Sequence, residues 1–332
     1  MILVINTGSS SIKYKLFDDE LQEIKSSKFE FSGSHVDKVV DKILLDIGTV
    51  RNEITKVAYR IVHGGDKADE IMPVVLPTMK IIEEFAPLAP HHNPFAIEAI
   101  KSAIGKFPLA QHFASFDTAF FKNLPAAAKI YPIDQKVAEE FSIKRYGFHG
   151  ISHGWMLAQI DSSHTKKIIT IHMGAGSSVS AINCGKPIDT SMGFTPIEGL
   201  PMQKRSGDID PEIVLFLSEK IGGKKTRDLI ENQSGLAGIS GKSGDMLELL
   251  DSGDEMSKLA IEILCYRTKK YIGAYAAALG GVDIVAFSGE IGFGSALIRK
   301  KITSGLDYLN FETKFIKPDE ELAIAKMLVS QV

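Results

Sequence analysis

The stretch ILVINTGSSSIKYKLF, residues 2–17, decides the fold. Residues 2–5 form a continuous apolar run that ends at a polar segment containing Gly8. From Ile12 to Leu16, apolar residues alternate with lysines, which is the period of a β-strand with one buried face. The pattern predicts a buried strand, a tight turn and a second strand that pairs back on the first.

A related pattern returns near the middle of the chain. Residues 168–172 are typical of a buried strand, and the glycine turn 174–176 and a return strand over 177–182 follow. Aligning Gly8-Ser9-Ser10 with Gly176-Ser177-Ser178 gives an offset of 168 in a chain of 332 residues. Self-similarity at half the length favours duplication of a strand–turn–strand unit, with one copy in each of two domains.

The remaining pattern alternates strands with helices in both halves. We expect strands over 24–31, 54–62, 110–116 and 284–287, and helices over 36–44, from Asn93, from Asp210, over 255–279 and from Asp319. Asn93 and Asp210 are expected to cap helices that carry proline at the first position. The predicted fold class is therefore α/β, with two related layered domains.

Composition excludes several classes of protein. Hydrophobic residues make up 44% and charged residues 24%, a balance that argues against a disordered or fibrous chain. The net charge of −3 favours neither nucleic acid nor an acidic membrane as a partner. Cys184 and Cys265 lie far apart, against a disulfide scaffold or a structural zinc site. With no apolar run of ~18 residues and no basic segment before the first apolar stretch, we expect a cytoplasmic protein without a secretory signal.

Three glycine-containing turns, over 6–11, 172–178 and 288–294, are candidate phosphate sites. Small residues let the backbone approach an anion, and successive N–H groups then hydrogen-bond its oxygens. The third turn follows a buried strand and precedes a helix, whose N-terminus favours negative charge. Each turn alone is equally an ordinary polar connection, but three together favour a protein that handles phosphate.

Four charged residues lie at strand ends or in glycine-containing loops, where functional groups of α/β proteins gather. They are Arg60, Asp117, His149 and Arg205. Each alone is also typical of a solvated charge, a turn former or a partly buried histidine.

These residues belong to a series of motifs that resembles the acetate kinase family. The motifs are VINTGSSSIKYKLFD (4–18), RIVHGG (60–65), APHHNPFAI (89–97), FDTAFF (116–121), RYGFHGISH (145–153), SMGFTPIEGLPM (191–202), RSGDIDP (205–211) and PDEELAIA (318–325). The resemblance implies the fold of the acetate and sugar kinase, Hsp70 and actin superfamily: two duplicated actin-like ATPase (ribonuclease H-like) domains with an interdomain cleft. It implies one domain over 1–118 plus 318–332, with a returning C-terminal helix, and a second over 119–317.

The resemblance also implies a function. The family transfers a phosphoryl group from ATP to acetate with the help of Mg²⁺, giving acetyl phosphate and ADP, so the chain is expected to be a nucleotide- and metal-binding kinase. Its partners are then a small carboxylate and a phosphoryl donor, and we expect a homodimer. A carboxylate with a pKa near ~4 is already ionised at pH 7, so the reaction needs positive charge and alignment more than a base.

The site residues follow from the resemblance, position by position. Asn6 and Glu320 are expected to bind magnesium, and Ser9, Ser11 and Lys13 to face the transferred phosphate. Arg60 and Arg205 would hold the carboxylate and the phosphoryl group, His149 would stabilise the transition state, and Asp117 would orient an arginine or histidine. The acyl pocket is expected to comprise Val62, His92, Phe148 and Pro196, with Arg60 at its polar end; the nucleotide is expected at His172, Gly174, Gly176, Gly289 and Gly292.

Several positions depart from the family pattern. Ala175 stands where the family has an asparagine, Glu290 and Phe293 fall in the glycine turn near the nucleotide, and His91 stands where a leucine lines the methyl pocket. The chain is also shorter than is usual for the family. These departures leave open a different donor such as pyrophosphate, propionate or butyrate as the acceptor, or a non-catalytic carboxylate-binding protein.

Overall fold

The chain forms two compact units in a computed structural model that describes residues 1–8, 11–31 and 35–330. The first unit comprises Met1–Lys122, Phe148–Trp155 and Asp319–Val332, and the second comprises Asn123–Gly147 and Met156–Pro318. Each unit is built on one mixed β-sheet. The domain boundaries expected from the family resemblance stay a prediction.

The strands include every predicted apolar and alternating segment, together with three that the sequence analysis did not predict, over 71–73, 186–190 and 312–315. They are β1 (Ile2–Thr7), β2 (Ser11–Phe17), β3 (Glu23–Glu30), β4 (Lys56–Ile61), β5 (Ile71–Pro73), β6 (Gln111–Phe116), β7 (Lys167–Met173), β8 (Ser177–Asn183), β9 (Lys186–Thr190), β10 (Ile284–Ser288) and β11 (Glu312–Phe315).

The predicted helices are also present, within a few residues of their expected bounds. The α-helices are α1 (Val36–Ile47), α2 (Leu76–Glu84), α3 (Asn93–Lys106), α4 (Ala126–Lys129), α5 (Gln135–Glu140), α6 (Gly150–Ile160), α7 (Pro211–Ile221), α8 (Gly223–Asn232), α9 (Gly235–Ser240), α10 (Met246–Ser252), α11 (Glu255–Leu279), α12 (Gly289–Gly294), α13 (Ala296–Thr303) and α14 (Glu320–Ser330). No helix in these ranges is long and apolar enough to cross a membrane.

The first sheet has the order β3-β2-β1-β4-β6-β5. β1, β2 and β3 form an antiparallel meander, and β4 and β6 continue parallel to β1. β1 is buried along its whole length, as its continuous apolar run predicts, because it lies between two strands with side chains covered on both faces. Helices α1 and α3 cover one face of this sheet, and α14 packs against the other face through Ile324 and Leu328.

The second sheet repeats this arrangement with the order β11-β10-β7-β8-β9. β7, β8 and β9 form an antiparallel meander, and β10 runs parallel to β7 on its other side, followed by β11. β7, β8, β9, β10 and β11 thus correspond to β1, β2, β3, β4 and β6. The duplicated α/β architecture predicted from the sequence is confirmed.

The alignment of the two halves at an offset of 168 is wrong, however. The first parallel pair joins Ile2 to Lys56 in one sheet and Ile168 to Ile284 in the other, an offset of 166. Four residues separate the last hairpin pair Thr7–Ile12, but only three separate Met173–Ser177. Gly8 therefore corresponds to Gly174 rather than Gly176, because strand pairing sets the register and a shared three-letter string does not.

Candidate active site

The carboxyl ends of three strands in the first unit bring the predicted Arg60, Asp117 and Asn6 together. Arg60 lies near the end of β4, and Asp117 follows β6, its neighbour in the parallel sheet. Both Nη2 and Nε of Arg60 donate to Oδ2 of Asp117, at 2.7 and 3.1 Å. Asp117 is 1% exposed, and its Oδ1 is buried with no hydrogen-bond partner among the described residues. Oδ1 therefore keeps an unused capacity to accept a hydrogen bond.

Asn6 extends this network to the C-terminal helix. It stands opposite Arg60 in the β1–β4 ladder, and its Oδ1 accepts from Nη1 of Arg60 at 3.3 Å. Its Nδ2 donates to Oε1 of Glu321 in α14 at 2.6 Å. Burial opposes the charge of Arg60, but the carboxylates of Asp117 and Glu320 outweigh it and raise the pKa of this guanidinium. Arg60 is thus a fixed, permanently charged cation.

The acidic pair at the start of α14 combines one predicted residue with one that sequence analysis missed. The partner of Asn6 is Glu321, whereas Glu320 acts on Arg60 through its charge. Glu321 is 5% exposed, and burial raises its pKa, with the charge of Glu320 adding to the shift. The two adjacent glutamates of the PDEELAIA motif indicated an acidic site, but the sequence does not determine which of the two carboxylates faces the sheet.

These oxygen donors fit a magnesium ion. The described residues contain no group of three or more His, Cys, Asp or Glu side chains that could hold a metal by themselves. Mg²⁺ is usually held by one or two carboxylates and completes its octahedron with water and substrate phosphate oxygens. Glu321, hydrogen-bonded to Asn6, supplies one such carboxylate, so these residues fit an ion that takes its other ligands from water and phosphate.

The RIVHGG segment beside Arg60 is held by a buried asparagine. Asn93, fully buried, accepts from the backbone N–H of His63 at 3.2 Å and donates to the carbonyls of His63 and Ile82 at 2.8 and 3.1 Å. The expectation that Asn93 caps its helix is therefore wrong. It is the first residue of α3, and its side chain is used to fix the loop that follows Val62.

The predicted acyl-pocket residues of the first unit lie on this loop and its neighbours. Val62 is 7% exposed and Phe148 is 1% exposed. The ring of Phe148 meets the ring of His63 edge to face, with 5.1 Å between centroids. His92 precedes α3 and is half-buried, while His91 is exposed, so His91 does not occupy a closed pocket wall.

His149 lies in a strained turn beside Asp117. Its φ of +57° is in the left-handed region, which costs a non-glycine residue on the order of 1–3 kcal/mol. The next residue, Gly150, donates its N–H to the carbonyl of Asp117 at 3.1 Å, and a Cβ there would come within 2.0 Å of that oxygen. The backbone therefore fixes the position of His149, immediately before α6, relative to Asp117.

The second unit brings Arg205 and Pro196 together. Nη1 of Arg205 donates to the carbonyl of Pro196 at 3.2 Å and contacts Sδ of Met202 at 3.7 Å. Burial lowers the pKa of Arg205, and the charge of Glu231 opposes the shift. Because the ordinary pKa of an arginine lies far above neutral, Arg205 stays charged at pH 7.

The two glycine turns of the second unit follow β7 and β10. The N–H of Gly174 donates to the carbonyl of Gly176 at 2.9 Å, and the carbonyl of the exposed Ala175 accepts from the N–H of Gln203 at 3.2 Å. Gly289 has a φ of +82°, and a Cβ there would come within 2.3 Å of the carbonyl of Met173. The backbones of the two turns therefore lie close together.

The departures from the family pattern lie at the surface of this region. Glu290 is exposed and Phe293 is 41% exposed, so neither side chain fills a closed cavity within the second unit. Nη1 of Arg299 donates to the carbonyls of Gly292 and Phe293 at 2.9 and 2.5 Å, which ties down the end of α12.

The predicted phosphate-facing residues of the first hairpin are only partly described. Ser9 lies outside the described residues. Ser11 begins β2, and its carbonyl accepts from the N–H of Gly8 at 2.8 Å. Lys13 is exposed and stands opposite Asn6 in the hairpin. Of the candidate residues, the structure brings Asn6, Arg60 and Asp117 together in the first unit and Pro196 and Arg205 together in the second.

Comparison with known proteins identifies the family of this chain. The family model described as "Acetokinase family" matches residues 28–330. The chain belongs to this family. The acetate kinase of Thermotoga maritima is 38% identical over 369 aligned residues, covering 99% of this chain and 92% of the relative. That of Carboxydothermus hydrogenoformans is 39% identical, covering 93% and 87%. An alignment longer than the chain means that the first relative contains segments this family member lacks.

Solved structures of the family have the same fold. The acetate kinase of Porphyromonas gingivalis superposes with a TM-score of 0.90 at 31% identity, covering 99% of this chain and 98% of that one. A propionate kinase from Francisella tularensis superposes with a TM-score of 0.90 at 32% identity, covering 98% and 97%. The predictions of the actin-like ATPase fold and of a kinase that phosphorylates a carboxylate are confirmed at the level of the family.

Proposed function

We propose that the chain is a small-carboxylate kinase that transfers a phosphoryl group from ATP to acetate, giving acetyl phosphate and ADP. The observation that carries the proposal is the Arg60–Asp117–Asn6 network at the strand ends. The network fixes the position of the Arg60 guanidinium without a ligand, and it leaves Oδ1 of Asp117 without a hydrogen-bond partner among the described residues. Family membership supports the same reaction.

The chemistry suits these residues because both reactants are anions. The acetate oxygen is ionised at pH 7, so the protein must align it and neutralise charge rather than remove a proton. Arg60 holds the carboxylate against the apolar Val62 and Phe148, with His92 and Pro196 as further pocket residues. Asp117 keeps the guanidinium of Arg60 in one orientation through two hydrogen bonds to the same oxygen.

The remaining predicted residues bind the phosphoryl group and the nucleotide in this proposal. Arg205 and His149 stabilise the charge that spreads over the equatorial oxygens in the transition state. Ser9, Ser11 and Lys13 face the transferred phosphate, and the turns with His172, Gly174, Gly176, Gly289 and Gly292 bind the nucleotide. Magnesium, held by Asn6 and Glu320, supplies neutralisation of the phosphate oxygens when it is bound.

A second candidate function keeps the fold and changes a substrate. Phe293 lies in the glycine turn expected at the nucleotide, where a bulky ring disfavours a nucleoside more than a donor without one, such as pyrophosphate. The similarity to a propionate kinase favours a test of longer acids as acceptors.

The test is a hydroxamate assay for acyl phosphate. Purified chain is incubated with Mg²⁺, with acetate, propionate or butyrate, and with ATP or pyrophosphate. We expect turnover with acetate and ATP, and loss of that turnover in Arg60→Gln but not in Arg51→Gln, an exposed arginine of the same unit. Turnover only with pyrophosphate would favour the second candidate, and binding of acetate without turnover would favour a non-catalytic protein.

The chain also forms a homodimer in this proposal, and its cytoplasmic location stays a prediction. Helix α7 supports the dimer because none of its residues is buried, although it carries Ile213, Leu215 and Phe216, each 46% to 58% exposed. Exposed apolar faces of this kind mark association sites.

We expect Phe216→Glu to yield monomers in sedimentation velocity, because a charge in an apolar interface is costly. Leu109→Glu, at a residue of the first unit that is 97% exposed, should leave the dimer intact. A wild-type chain that sediments as a monomer would contradict the proposal.

A further inference from the structure

Two of the motifs carry a charged residue to which no role has been assigned. Arg145 opens RYGFHGISH, four residues before His149, and Glu198 lies in SMGFTPIEGLPM, two residues after Pro196. The structure pairs them with each other. Nη2 of Arg145 lies 2.6 Å from Oε1 of Glu198, and their side chains are 16% and 32% exposed.

The remaining donors of Arg145 are used within the protein. Its Nε donates to the carbonyl of Ala128 at 3.2 Å, and its Nη1 donates to the carbonyls of Thr190 and Ser191 at 3.0 and 3.4 Å. Burial opposes its charge, but Glu198 outweighs this effect and raises the pKa of Arg145. A guanidinium engaged in this way holds backbone segments together rather than binding a substrate.

Tyr131 joins the same pair. Its hydroxyl donates to Oε2 of Glu198 and accepts from the N–H of Phe194 at 3.0 Å, and the guanidinium of Arg145 lies 5.4 Å from the ring centroid. Gly193 makes room for this contact, because a Cβ there would lie 1.7 Å from Oε2 of Glu198 and 1.9 Å from the Tyr131 oxygen.

These bonds hold both ends of the segment 194–198, which contacts Arg205. Phe194 is fixed by Tyr131 and Glu198 is fixed by Arg145. Pro196, midway between them, offers its carbonyl to Nη1 of Arg205 at 3.2 Å. A shift of the segment therefore moves the carbonyl that orients the guanidinium.

We propose that Arg145, Glu198 and Tyr131 are positioning residues, which we call the anchor cluster, and that they set the orientation of Arg205 through the Pro196 carbonyl. The inference rests on the proposed function, in which Arg205 stabilises the transferred phosphoryl group. Misplacing a catalytic group by about 1 Å can lower a rate ~10²-fold, so weakening the anchor cluster should slow chemistry more than it weakens substrate binding.

The experiment compares Glu198→Gln and Tyr131→Phe with wild type, each alone and in an Arg205→Lys background. Alone, we expect kcat for acyl phosphate formation to fall about 10- to 100-fold, with donor and acceptor KM changed less than about threefold. In the Arg205→Lys background, the same changes should lower kcat less than about threefold, because residues that act through one group are not additive. Glu312→Gln, which removes a surface ion pair with Lys314 at 2.5 Å in the same unit, should leave kcat unchanged.

Equal reductions of kcat in both backgrounds would overturn the proposal, because a merely structural role does not depend on Arg205. Hydrogen exchange of the folded proteins supplies a readout without turnover. Tyr131→Phe should speed exchange of the Phe194 and Met202 amides and leave the β1–β2 hairpin unchanged. If wild type forms no acyl phosphate, the proposed function fails, and unchanged exchange at Phe194 and Met202 would then overturn the anchor cluster separately.

Discussion

The two sheets carry different chemistry at the same position. Near the end of the β1–β4 ladder, Asn6 stands opposite Arg60. At the corresponding position of the β7–β10 ladder, His172 stands opposite Ser288. One copy of the duplicated scaffold therefore presents a guanidinium bound to buried acidic and amide groups, and the other presents an imidazole and a hydroxyl.

The turns that follow these strands differ in the same sense. In the first unit, the side chains of Asp117 and Asn6 hold the guanidinium of Arg60, and Glu321 holds Asn6 in turn. In the second, Gly174 and Gly289 are buried, and the absence of side chains lets the backbones of the two turns pack closely together. Side-chain charge suits a small carboxylate that needs one strong partner, whereas backbone N–H groups suit the several oxygens of a phosphate chain.

The largest expected effect comes from replacing Arg60, near the end of the β1–β4 ladder. We expect Arg60→Gln to lower kcat on the order of 10³-fold, because the acetate carboxylate loses both its charged partner and its alignment. Ser288→Ala changes the matching position of the other sheet. Because the Ser288 hydroxyl is buried without a hydrogen-bond partner among the described residues, its loss should change kcat less than about threefold. Steady-state hydroxamate assays measure kcat for both variants. Equal reductions of kcat would show that the two ladder positions do not differ in function.

Removing the charge that orients Arg60 should have the next largest effect. In Asp117→Asn the guanidinium loses its charged partner and can rotate, so we expect kcat to fall about 10²-fold. Carboxylate KM should rise as well. Near-wild-type kcat in this variant would show that Asp117 does not orient the arginine.

Glu321 gives a pH-dependent prediction. Because burial raises its pKa above the ordinary value of 4.5, the folded state binds a proton more tightly than the unfolded state. Stability contributed by this proton is present below pH 4.5 and is lost as pH rises through the folded pKa. We expect Glu321→Gln to remove this part of the pH dependence in thermal melts, while its amide oxygen keeps the bond from Asn6. An unchanged slope against pH would contradict the assignment.

The smallest effect is expected at the donor side. Glu290 is exposed, so its repulsion of a nucleotide is screened by salt. Glu290→Gln should lower the KM for ATP about two- to threefold at low ionic strength and by less at 0.5 M salt. Glu140→Gln, at another exposed residue of the second unit, is the matched control. A larger change that persists at high salt would show that Glu290 contacts the nucleotide directly.

Sequence patterns predicted the elements well because their signals are local. The buried strand β1, the alternating strand β2 and the proline start of α7 behind Asp210 all follow from residues a few positions apart. The same local logic failed at Asn93, where a residue typical of a helix cap fixes a distant loop instead. It also failed for the register of the repeat, since the ladder pairs place the two halves at an offset of 166 rather than 168.

The candidate site divides in the same way. Sequence alone determined the two-domain α/β architecture, the family, and the identity of Asn6, Arg60, Asp117, His149 and Arg205 as candidates, because motif letters and apolar periods lie along the chain. Only the tertiary structure decided that Glu321 reaches Asn6 and that Arg145 pairs with Glu198. Neighbouring residues on a helix point about 100° apart, and partners 53 to 315 positions distant meet only once strand register and helix rotation are set.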